Sequence, residues 1–138
     1  MITPGLCSSY LAEVLAGVHQ ITDEYRLALF SDQAEISPAS TTYTTSGEVP
    51  GTGGYVAGGQ VLTGFSITES DGVAIADFDD ARWMNATITA RGAMIYNASK
   101  GNRAVLVLDF GGNIASTAGL FSVIFPPPTT AEALIRLA

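Results

Sequence analysis

Apolar residues recur along this chain with two different periods. Near its start Leu6, Tyr10, Leu11, Val14, Leu15 and Val18 follow three- and four-residue steps, the repeat of one helix face. Pro4, favoured in a first helical turn, marks the expected start of that helix, and Gly17 with the mostly polar residues 20–24 marks its end. From Tyr25 the period falls to two. Tyr25, Leu27 and Leu29 alternate with Arg26, Ala28 and Phe30, which predicts a first strand with one fully apolar face.

Residues 31–40 read as a connection broken by Pro38, and the β-branched run 41–45 as a short edge strand. Six glycines and one proline in residues 46–59 predict a long loop, or a strand interrupted by bulges. Alternation then resumes. Val61, Thr63, Phe65 and Ile67 share one expected face, Val73 and Ile75 another, and Met84, Ala86, Ile88 and Ala90 a third. Gly92 is placed for a bulge or bend, and Ser99-Lys100-Gly101-Asn102 has the composition of a hairpin loop. The run 104–108 is apolar on both faces and so belongs in the middle of a sheet.

Gly111-Gly112-Asn113 reads as a turn, and residues 120–125 as a strand with Phe121, Val123 and Phe125 on one face. Pro126, Pro127 and Pro128 end it, since proline cannot donate to a ladder. The tail 131–138 fits either a short helix or a last strand. Seven to nine strands at intervals of about ten residues leave no room for βαβ crossovers. The expected fold is therefore mainly β: an antiparallel two-sheet sandwich or jelly-roll-like barrel with one N-terminal helix. It is read as a single domain over residues 1–138, with a helical segment 1–22, a β body 23–125 and a tail 126–138.

Composition narrows the function. With 47% hydrophobic and 14% charged residues, the chain has enough apolar surface to fold, and so few charges favour covering part of it against a partner. A net charge of −7 argues against nucleic acid, which needs clustered Lys and Arg. No run of about 18 apolar residues predicts a membrane-spanning helix, and no basic segment precedes the first apolar positions to suggest a secretory signal. One His, one Cys and one Lys make a nucleophile, base and metal set hard to assemble, so neither an enzyme nor a cofactor is expected.

Individual candidates weaken on inspection. Glu69, Asp71, Asp77, Asp79 and Asp80 form an acidic group, but their spacing is not that of an EF-hand loop and reads as a solvated turn. Gly51-Thr52-Gly53-Gly54 lacks the Lys-Ser/Thr ending of a phosphate loop. His19 suits a helix C-terminus, and Cys7 a small buried hydrophobe. Trp83, Tyr55 and Tyr43 are the rings that a carbohydrate-binding module would use for stacking.

Several blocks, taken in order, resemble small structural proteins of tailed bacteriophages. They are Met1-Ile2-Thr3-Pro4-Gly5-Leu6-Cys7, then Glu48-Val49 through Gly51-Thr52-Gly53 to Tyr55 and Ala57-Gly58-Gly59. Trp83, Ala86-Thr87 and Ala90-Arg91-Gly92-Ala93 follow, and then Tyr96-Asn97, Ser99-Lys100, Asn102-Arg103-Ala104 and Leu108-Asp109-Phe110-Gly111. The resemblance implies a virion component assembled in the host cytoplasm. Within that class the expected role is a capsid cement or decoration protein bound to the major capsid protein and to copies of itself, with trimers favoured. A tail, connector or head-fibre component is the alternative inside the class. The expected contact residues are Ile2, Pro4, Leu6 and Tyr10 in the N-terminal arm, Val49 and Tyr55 in the glycine-rich loop, and Pro126, Pro127 and Pro128.

Overall fold

The architecture, seen in a computed structural model, is described for residues 1–129 and 131–137. Eight strands and one α-helix succeed one another among these residues: β1 Gly5–Leu6, α1 Ser8–Leu15, β2 Tyr25–Phe30, β3 Gln60–Val61, β4 Ser66–Ser70, β5 Val73–Asp77, β6 Ala81–Asn97, β7 Arg103–Val123 and β8 Ile135–Leu137. Two antiparallel sheets result, one of order β1-β7-β6-β2-β3 and one of order β4-β5-β8. The chain is thus mainly β, with one short helix near its start, consistent with a β-sandwich.

Burial is deepest where the alternation breaks down into continuous apolar sequence. Leu27, Ala28, Leu29 and Phe30 of β2, Ala93, Met94 and Ile95 of β6, and Ala104 and Val105 of β7 have no exposed surface. These segments lie side by side, so each strand is flanked by others and covered on both faces. Each large side chain sealed in this way contributes about 1.5–3 kcal/mol relative to exposure. A ring cluster joins the two sheets. Phe65 stacks on Phe78 with centroids 4.4 Å apart, and both meet Tyr25 of β2.

β6 and β7 form one long ribbon, closed at its end by a single 3-10 turn, Ala98–Lys100, and by Gly101 and Asn102 in the left-handed region. That is the hairpin loop expected at 99–102. Beyond it the register shifts four times. Trp83 pairs with Phe121 but Ala86 with Gly119, so β6 holds the extra residue there; Ile88 pairs with Ser116, so β7 holds the next. Between Ala90 and Gly92 the register jumps from Ile114 to Asp109, leaving Gly111-Gly112-Asn113 as a wide bulge inside β7 rather than the expected turn. Asn85, Ala118 and Gly111, at positive φ, sit in these bulges.

The bulges bend the ribbon sharply. Phe110 and Phe121, eleven residues apart on one strand, have ring centroids 6.5 Å apart. A straight strand would separate them by about 36 Å. The first bulge also changes which face is inside: Trp83 is buried and Met84 exposed, whereas an unbroken alternation would bury Met84 with Ala86, Ile88 and Ala90.

Other expectations need correction. The helix begins at Ser8, because Gly5–Leu6 pairs with Leu106 and Val107 of β7. Of its predicted stripe only Tyr10 is buried, with Leu6, Val14 and Val18 half-buried; Leu15 is 91% exposed. Residues 41–45 supply one bridge, Thr42 to Arg103, in place of a strand. The face predicted over 61–67 is cut at Gly64, which has φ 67° and lies against the Asp79 carboxylate, so Gln60–Val61 joins the large sheet and Ser66–Ser70 the small one. The tail, open between a short helix and a last strand, holds strand β8 over Ile135–Leu137.

Gly59 and Gly101 both have positive φ, but a Cβ on Gly59 would overlap the Leu27 carbonyl while one on Gly101 meets open space. We predict that Gly59→Ala costs about 2–4 kcal/mol, strain and overlap together, and Gly101→Ala about 1 kcal/mol. Urea unfolding midpoints of the two variants measure the difference.

Candidate functional site

The glycine-rich loop 46–59 is ordered by one carboxylate. Glu48 bridges to Phe30 at the end of β2 and is half-buried. Its Oε2 accepts from the Tyr55 hydroxyl at 2.6 Å and from the Gly58 N–H at 2.8 Å, and its Oε1 accepts from the Tyr43 hydroxyl. Tyr55 in turn accepts from the Leu29 N–H at 3.0 Å, and Tyr96, stacked on Tyr43, donates to the Gly58 carbonyl. Burial first, and the hydrogen bond to Glu48 second, push the Tyr43 and Tyr55 phenols well above their ordinary range, so both stay protonated as donors. Glycines let this loop approach β6 closely, with the Thr87 N–H donating to the Gly53 carbonyl at 2.7 Å.

A second polar network ties the end of α1 to the β6–β7 turn. Asn97, fully buried, accepts from the Ser99 N–H through Oδ1 and donates through Nδ2 to Asp23 at 2.8 Å. Those two partners settle which way the amide points. Its remaining N–H therefore faces His19 Nδ1 at 3.0 Å, which must accept. His19 accordingly carries its proton on Nε2 and donates to Glu13 at 2.9 Å, while Arg103 binds the other Glu13 oxygen at 2.8 Å. Burial would raise the Asp23 carboxyl, but Asn97, Lys100 and the Gln20 N–H outweigh it and hold it down at about 2. Every member of this network is occupied by its neighbours, which is the arrangement of a staple.

Of the acidic group, Asp77, Asp79 and Asp80 line a shallow mouth of about 550 Å³ together with Thr63, Arg82 and the three prolines, while Glu69 and Asp71 lie outside it at the β4–β5 turn. Asp79 accepts from the Thr63 hydroxyl, and Asp80 accepts the Phe125 N–H at 2.8 Å. Asp77 Oδ1 is buried without a hydrogen-bond partner among the described residues, and burial, then Asp80 and Asp79, raise its carboxyl. Among the described residues no three His, Cys, Asp or Glu side chains gather as a metal-holding group. Cys7 is buried, and burial followed by the Glu13 charge pushes its thiol up to about 11, away from thiolate chemistry.

The structure divides the expected contact residues. Ile2, Tyr10, Val49 and Tyr55 lie in the core: Ile2 bridges to Ile36, the Val49 N–H donates to the Leu29 carbonyl, and Tyr55 is 1% exposed. Their side chains are packed into the fold, with Ile2 and Tyr10 each reaching the wall of a surface pocket. Pro4, Pro126, Pro127 and Pro128 are exposed, and Leu6 is half-buried on β1. The rings proposed for sugar stacking are also occupied, Trp83 between Tyr55 and Phe121 and Tyr43 on Tyr96.

What residue patterns missed is the rim of the bent ribbon. Ile114, Leu120 and Ile124 are 48%, 57% and 74% exposed, beside an apolar niche of about 190 Å³ lined by Phe110, Ile114 and residues 121–124. The signal was present: residues 110–131 form the longest stretch without an Asp, Glu, Lys, Arg or His. No protein-family model, no curated protein and no solved structure matches this chain.

Asp23 generates an acid limb. Its carboxyl is depressed in the folded protein relative to an ordinary 3.8, so its contribution is complete above about pH 4 and is lost as pH falls towards 2. Asp23→Asn is predicted to lower stability at neutral pH and to make the decline between pH 4 and 2 shallower, as read from urea midpoints across that range. Tyr55→Phe, which strands the Leu29 N–H and removes one of the two donors to Glu48 Oε2, is predicted to cost about 1–3 kcal/mol in the same assay.

Proposed function

We propose that this protein is a structural component of a tailed-bacteriophage virion, most specifically a capsid cement or decoration protein that binds the assembled major capsid shell and copies of itself. The observation that carries the reading is the exposed, uncharged rim of the β6–β7 ribbon, on a body whose ionisable side chains are largely engaged in holding the fold. Such a surface is suited to adding contact area and ill suited to turning over a substrate. The ordered resemblance of the sequence to phage structural proteins supports the same class.

A cement protein that binds only the closed shell stabilises it by mass action, and many copies multiply the effect. Quantitative mass spectrometry of purified particles tests the proposal. Copy numbers on the order of hundreds per particle are expected for a cement protein. A dozen or fewer would move the assignment to the tail, connector or head fibre, and absence from the particle would overturn the virion reading.

A further inference from the structure

We infer that the chain from Gly119 to Ile124, the outer edge of the end of β7 and the residue after it, pairs with the same segment of a second copy, continuing the large sheet across a two-fold axis at Ser122. This inference does not rest on the virion reading.

β7 has β6 on one side; on the other, among the described residues, it has the Thr42 bridge at Arg103 and β1 at Leu106 and Val107. From residue 108 to its end that edge has no strand neighbour among the described residues. Natural proteins protect such edges with charges, prolines, bulges or a covering segment. Here the bulges protect only part of it. They fall at 110–113 and at 117–118, whereas 121–123 runs in regular register against Ala81, Arg82 and Trp83, and the next irregularity, between Trp83 and Ala86, places its extra residue in β6 and not in β7. Pro126, Pro127 and Pro128 stop the edge just beyond, leaving a six-residue window.

The window is self-complementary. With Ser122 on the axis, Leu120 meets Ile124 on the outer face and Phe121 meets Val123 on the inner one, each an apolar cross-strand pair. The niche bounded by Phe110, Ile114 and residues 121–124 opens beside this edge and can receive an apolar side chain from across the axis. Charge selects the occupant. A chain of net charge −7 repels its own copies over most of its surface, and the window lies within the uncharged stretch 110–131, where that repulsion is weakest. A basic partner would find no acid on this stretch to bind. A two-fold pairing departs from the trimer expected at first, because an edge of this kind closes with one copy.

Sedimentation of the full chain over low to high micromolar concentrations tests the inference. A reversible monomer–dimer equilibrium is expected, tightening at high salt as the general repulsion is screened. Leu120→Lys and Ile124→Lys, both at exposed positions, should each raise the dissociation constant about tenfold or more, while Leu15→Lys on α1 leaves it unchanged. Circular dichroism melting establishes that all three variants fold. Ser122→Cys should form a disulfide-linked dimer under an added mild oxidant, because paired strands bring facing Cα atoms within disulfide range, whereas Thr117→Cys should not. A chain that stays monomeric throughout, sediments as a trimer, or dimerises regardless of Leu120→Lys and Ile124→Lys would overturn it.

Discussion

The pairing of β6 with β7 is the constraint on which the other parts depend. It brings together the deepest burial in the chain, Ala93 to Ile95 against residues 104–108, and it gives β2 and β1 the edges on which they assemble. A straight ribbon of this length would project beyond the body and expose Trp83 and Phe121. Bulges prevent that. By adding residues first on one strand and then on the other, they curl the ribbon until Phe110 reaches Phe121 and Trp83 reaches Tyr55.

Two polar clusters then fasten the irregular parts onto this frame. Glu48 gathers three donors and holds a loop too rich in glycine to hold itself, while Asn97 and Asp23 lock the end of α1 to the hairpin turn. Asp23 is met by partners distant in sequence, Asn97 and Lys100, whereas Glu48 takes its donors from its own loop and from Tyr43, and both clusters are nearly saturated. A carboxylate that already accepts from two phenols and an amide has little left with which to activate water or a substrate. Glu48 and Asp23 are thus spent on the architecture of the molecule itself.

Much of the strand order was legible because alternation is enforced wherever one face of a strand is buried. The runs 25–30 and 120–125 were found in that way, 104–108 from its continuous apolar sequence, and the turn at 99–102 from residues that can adopt left-handed backbone, although 104–108 and the run from 120 to 123 belong to one strand, β7. The failures share a physical cause. Met84 and Gly111-Gly112-Asn113 were misread because a bulge shifts the phase of the alternation without leaving a turn, and no local pattern separates the two. Leu6 was assigned to the helix because a two-residue strand owes its existence to Leu106 and Val107, a hundred residues later. Val49 and Tyr55 looked like surface residues of a loop; only the carboxylate of Glu48 and the approach of the loop to β2 make them core.

Curvature also decides where the surface is free to act. A sheet that grows by adding flat strands keeps a neighbour for each long strand except the outermost. A ribbon curled by bulges brings its own far end back over the core, and its outer strand then runs round the outside of the bend, where the short β1 covers only its first part. The rim at Ile114, Leu120 and Ile124 is therefore a consequence of closing the core in this manner. A charge inserted there would have cost the fold little, since these side chains already face water. That the stretch carries none is the feature that packing does not require and that association does.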